Sequence, residues 1–77
     1  STASINNSGT IQNLFRAGIY NYSSSTITNL SNSGTISGSD AIYNIGTITN
    51  LINSGTISNT SRVGIYNWNT ITTLKCY

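Results

Sequence analysis

The sequence predicts an all-β chain wound into a parallel β-helix (β-solenoid) of about three coils, each roughly 21–25 residues long, with uncapped ends. Three observations predict it. The segment Ile-Tyr-Asn begins at Ile19, Ile42 and Ile65, two intervals of 23 residues. Asn-Ser-Gly-Thr-Ile recurs at Asn7–Ile11, Asn32–Ile36 and Asn53–Ile57, and Thr-Ile-Thr at Thr26–Thr28, Thr47–Thr49 and Thr70–Thr72. No apolar stripe of helical period interrupts these period-2 stretches, so no helix is expected.

The 77 residues read as one solenoid domain: a partial coil 1–18, coils 19–41 and 42–64, and a partial coil 65–77. Each coil is two similar halves of the form apolar-x-Asn-x-Gly-x-Ile. The first partial coil carries Ile5-Asn7-Gly9-Ile11. The next coil carries Ile19-Asn21-Ile27, with two extra residues in the Tyr22–Ser25 arm, then Leu30-Asn32-Gly34-Ile36. The third segment is the most regular, Ile42-Asn44-Gly46-Ile48 followed by Leu51-Asn53-Gly55-Ile57. The last carries Ile65-Asn67-Asn69-Ile71, then Leu74 with Cys76 in the asparagine slot. Loops 11–21 and 57–67 also align, which puts Arg16 and Arg62 at the same place.

In Thr-Ile-Thr and Ile-Tyr-Asn, Ile points one way and Thr or Tyr the other, as a strand requires. Gly and Asn between the strands are expected to supply bends by tolerating positive φ. Equivalent residues of successive coils should then stack ~4.8 Å apart. That makes interior columns of Ile27/Ile48/Ile71, Ile11/Ile36/Ile57, Leu30/Leu51/Leu74 and Ile19/Ile42/Ile65. Asn7/Asn32/Asn53 and Asn21/Asn44/Asn67 are expected to stack inward, amide on amide. The alternative is that they face outward in turns.

Composition narrows the function. Charged residues are 5% of the chain, there is no Pro, and β-branched residues are abundant, so disorder is not expected. Low charge with many Asn describes a chain that stacks on copies of itself. The net charge of +2 rests on Arg16, Arg62, Lys75 and Asp40, too little for a nucleic-acid partner. With no His and a single carboxylate side chain, no metal site, cofactor or acid–base catalyst is expected. Asp40, in the loop Ser37-Gly38-Ser39-Asp40, is most simply a turn residue. No apolar run is long enough for membrane insertion. The start at Ser1 and the absence of Met suggest a processed product or an excised piece.

The repeats NNSGTI, AIYNIGTITNLINSGTIS and VGIYNWNTITTL resemble the passenger repeats of bacterial autotransporter adhesins and haemagglutinin-type surface proteins, over nearly the whole chain. The resemblance implies a right-handed parallel β-helix, export to the bacterial surface, and a role in adhesion, aggregation or biofilm.

Three surfaces are candidates for such a role. Tyr20, Tyr43 and Tyr66 should form an outward column, with Tyr22, Ile45 and Trp68 beside it, suited to lateral self-association or to ligand stacking. Thr26/Thr28, Thr47/Thr49 and Thr70/Thr72 form a regular Thr array, whose alternative use is binding ice or, as for the aromatic face, carbohydrate. Cys76 is expected to fill the asparagine column or to bridge to another chain by an intermolecular disulfide. The functional expectation is a secreted, non-enzymatic, fibre-forming or adhesive protein at the cell surface. Its partners would be copies of itself, in an oligomer or filament stacked end to end, and a host or matrix surface.

Overall fold

The computed structural model describes residues 2–59 and 64–77. Among them are ten strands and no helix: β1 (Thr2–Asn7), β2 (Thr10–Asn13), β3 (Ile19–Asn21), β4 (Thr26–Asn32), β5 (Thr35–Gly38), β6 (Ile42–Asn44), β7 (Thr47–Asn53), β8 (Thr56–Asn59), β9 (Ile65–Asn67) and β10 (Thr70–Cys76). They stack as a β-solenoid of about three turns. One sheet runs β1-β4-β7-β10, a second β2-β5-β8 and a third β3-β6-β9. Every pair is parallel. Chain neighbours therefore sit in different sheets, and each strand pairs with its repeat equivalent.

The register is the one that the repeats dictate. Ile27 lies on Ile48 and Ile48 on Ile71, Leu30 on Leu51 and Leu51 on Leu74. Ile11, Ile36 and Ile57 form a third column, and Ile19, Ile42 and Ile65 a fourth. Their middle members are the core: Ile36, Ile42, Ile48 and Leu51 have no exposed surface. Burying such a side chain stabilises by about 1.5–3 kcal/mol. The column ends are only partly covered, as at Ile5, Ile11, Ile57, Ile65 and Ile71. Arg62, expected above Arg16, lies outside the described residues, as does Ser1.

The expectation about the bends needs correction. No glycine has positive φ, and among the described residues that are not glycine only Ser24 does (φ 70°), in the longer Tyr22–Ser25 arm. The corner glycines serve close approach instead: a Cβ on Gly34 would strike the Gly9 carbonyl oxygen, and one on Gly55 that of Gly34. The coils stack so tightly at this corner that only a residue without a side chain fits. The strand carrying Thr-Ile-Thr keeps the expected alternation over those three residues and departs from it beyond them. Ile27, Leu30 and Asn32 all point inward, and the three-residue step from Ile27 to Leu30 cannot be met by strict alternation. Thr28 and Asn29 both face out, and the ladder passes from Ile27↔Ile48 directly to Asn29↔Asn50. Thr28, Thr49 and Thr72 therefore stand at a bend, while Thr26, Thr47 and Thr70 lie in the paired ladder.

Candidate functional site

The polar interior is built from the corner motif Asn-x-Gly-Thr. A turn brings each asparagine to the end of its strand, and pairing with the next coil sets its side chain over an equivalent amide. Asn7 Nδ2 donates to Asn32 Oδ1 (2.8 Å), and Asn32 Nδ2 to Asn53 Oδ1 (2.9 Å). At the other corner Asn21 donates to Asn44 and Asn44 to Asn67, both at 2.8 Å. These asparagines are the last residues of their strands and stack amide on amide, the inward arrangement and not the outward one. Each amide also bonds backbone in two coils. Asn44 Nδ2 reaches Gly46 O (3.2 Å) in its own corner and Thr70 O (3.0 Å) in the next. No buried side-chain N or O among the described residues lacks a partner. This is the condition under which a buried polar column is tolerated.

Both ladders have one direction. Within them each amide–amide bond is donated from the N-terminal coil to the C-terminal one, whereas outside them Asn50 Nδ2 donates back to Asn29 Oδ1 at 3.2 Å. At the C-terminal end, Asn53 Nδ2 and Asn67 Nδ2 retain bonds to their own corners, Gly55 O and Asn69 O at 3.2 Å. Cys76 pairs with Asn53 and is exposed, so the thiol occupies the place of a fourth asparagine. At the N-terminal end Asn7 and Asn21 are the first members of their ladders and donate into the next coil. The outermost strands are β1, β2 and β3 at this end and β8, β9 and β10 at the other.

On the outside, Tyr20, Tyr43 and Tyr66 stack with ring centroids 4.8 Å apart and planes within 7°. Tyr22 packs on Tyr20 at 4.6 Å and Trp68 on Tyr66 at 5.8 Å, making one strip of five rings. Ile45, half-buried, holds the position between Tyr22 and Trp68 without joining the rings. The strip lies within the range of separations at which aromatic pairs attract.

Sequence reasoning missed a cleft of about 390 Å³ beside this strip, lined by Phe15, Arg16, Ala17, Tyr20, Ser39, Asp40 and Tyr43. Asp40 was expected to be only a turn residue; it lies in a bend but is 5% exposed. The signal was the aligned loop 11–21, whose unrepeated residues Leu14 and Phe15 are apolar yet fall off every column. Among the described residues no three His, Cys, Asp or Glu side chains gather to hold a metal. No family model, curated protein or solved structure matches this chain.

Proposed function

We propose that this chain is a non-enzymatic structural protein that builds extracellular fibres by stacking its coils head to tail on further copies. The observation that carries the reading is that β1 and β10 are the two outermost strands of one parallel sheet. A second copy in the same orientation continues that sheet in the register of the repeat, with β10 of one copy against β1 of the next. The partly covered apolar columns support the same reading, since Leu74 is 51% exposed at one end and Ile5 is only half-buried at the other. Unpaired strand edges with so little charge are templates for another chain. The extracellular setting rests on the resemblance of the repeats to exported surface proteins, and attachment to a host or matrix surface is the accompanying role of the aromatic strip.

In this assembly β10 of one copy pairs with β1 of the next. Extending the observed register places Ala3 over Ile71, Ile5 over Leu74 and Asn7 over Cys76. Four strands at ~4.8 Å spacing match the shortest dimension of the molecule, 17 Å, so fibres should be about 26 by 23 Å across. The test is electron microscopy and sedimentation of the purified chain, alone and as Ala3→Lys. Ala3 is exposed in the single molecule, but the substitution would drive an ammonium into the joined core, an inward charge of the kind that blocks edge pairing. Narrow filaments from the parent chain and monomers from Ala3→Lys are expected. A parent chain that stays monomeric, or filaments indifferent to Ala3→Lys, would refute the proposal.

A further inference from the structure

We infer that the tyrosine column is a site of oxidative coupling, at which a one-electron oxidant of the peroxidase class joins Tyr43 to Tyr20 or to Tyr66 as dityrosine and so staples successive coils, independently of assembly at the ends. The sheet β3-β6-β9 sets the geometry. Tyr20 pairs with Tyr43, and Tyr43 with Tyr66, in register. The ring centroids of both pairs are 4.8 Å apart, one strand spacing, and their planes are inclined by only 7° and 5°. Rings so related differ by little more than a translation along the axis, so each ortho carbon neighbours its equivalent on the next ring. A bond between two ortho carbons is what dityrosine requires. Tyr20 and Tyr22 are as close, at 4.6 Å, but their planes cross at 45°, and a bond there would tie together one short arm and no two coils. The column is open to an oxidant, since Tyr20 is 44% exposed and Tyr43 and Tyr66 are half-buried.

The step balances with hydrogen peroxide as the terminal oxidant. Each phenol gives up one electron and its O–H proton and becomes a phenoxyl radical, whose unpaired electron is shared with the ortho carbons. Two such radicals form one C–C bond. Each ring regains aromaticity as its ortho hydrogen leaves the carbon and a proton returns to the phenolic oxygen. The two electrons and two protons removed convert one hydrogen peroxide to two waters. Holding the two rings side by side replaces a chance encounter in solution with a standing one. The product supplies a link that the chain otherwise lacks. With Cys76 as its one cysteine, no disulfide can join two of its own coils. Tyr43 lies 23 residues from each partner, so either bond closes a loop that restricts the unfolded chain as a disulfide does.

The test treats the dilute, monomeric chain, its Cys76 thiol alkylated beforehand, with a haem peroxidase and hydrogen peroxide. Dityrosine fluorescence, intact mass, gel filtration and thermal melting are the readouts. The parent chain should give a monomeric product lighter by two hydrogens for each bond formed, melting higher by ~10 °C. Tyr43→Phe keeps a ring in the column and leaves the remaining two phenols two strand spacings apart, and circular dichroism checks that the fold is kept. Its dityrosine yield should fall tenfold or more. Tyr22→Phe and Tyr77→Phe remove phenols that are more exposed, 67% and 82%, and should change the yield less than twofold. Reaction governed by exposure alone would give the opposite order. Four results would each overturn the inference: no dityrosine from the folded monomer; coupling chiefly between molecules; a yield indifferent to Tyr43→Phe, or lowered as far by Tyr22→Phe or Tyr77→Phe; or a coupled chain that melts no higher than the untreated one.

Discussion

Four hydrogen bonds converge on the side chain of Asn44, which has no exposed surface. It donates to Gly46 O, Asn67 Oδ1 and Thr70 O and accepts from Asn21 Nδ2. Two N–H groups shared among three acceptors make the amide a bracket between coils. Truncating it removes these bonds and leaves buried carbonyls short of a donor, at about 1–3 kcal/mol for such a group. Asn44→Ala should therefore lower unfolding free energy by about 3 kcal/mol in urea denaturation. Asn67 lies at the exposed end of the same ladder and donates only within its own corner. Asn67→Ala should cost about 1 kcal/mol. Equal losses at the two positions would show that the ladder contributes nothing beyond each local turn. The asparagine columns were legible in the sequence because both recur at every corner. Their common direction was not, since a repeat pattern records which residues stack and not which way an amide is turned.

At the scale of the strand and its corner, the sequence pattern carried less than it seemed to promise. Asn-x-Gly reads equally well as a left-handed turn and as a point of close backbone approach, and only the second occurs here. The difference has a consequence within one motif. Gly34 faces the carbonyl of Gly9 in the coil beneath, whereas a Cβ on Gly9 would meet nothing within 4 Å. Gly34→Ala should destabilise by about 1–3 kcal/mol or more, because the obstacle is backbone that cannot rotate away. Gly9→Ala should stay within about 0.5 kcal/mol of the parent. Thermal melting of both variants decides the matter, and comparable losses would return the corner to the left-handed account. The Thr-Ile-Thr strand teaches a similar lesson. Its alternation was readable, but the bend at Thr28–Asn29 follows from the odd spacing of Ile27 and Leu30, which period-2 counting over three residues cannot reveal. Phe15 stayed unread for the opposite reason. Its loop aligns with 57–67, but Ser61 stands at the place of Phe15, and its meeting with Asp40 and Tyr43 depends on the coil above.

At the scale of the molecule, the number that matters is the ten strands of the described residues, shared among three sheets. β1 and β10 both belong to the four-stranded sheet. A copy placed head to tail pairs in that sheet alone and leaves β8 facing β2, and β9 facing β3, across the space of one missing strand. Removing residues 70–77 leaves three strands in each sheet, a whole number of coils. All three edges of the shortened chain then meet their repeat equivalents on the next copy: β1 on β7, β2 on β8 and β3 on β9. The shortened chain should be less stable as a monomer, because Ile48 and Leu51 lose the cover of Ile71 and Leu74. It should nonetheless form filaments at a lower concentration than the parent chain. The corner glycine supplies the control. In the flush stack Gly9 comes to rest over Gly55, as Gly55 rests over Gly34 within one molecule. Gly9→Ala in the shortened chain should then block filaments while leaving the monomer's circular dichroism unchanged. In the parent chain the same substitution faces the open gap and should leave assembly as it was. Pelleting assays across a concentration series would read both effects, and shortened chains that assemble equally well with alanine at this corner would show that their coils do not meet in the register of the repeat.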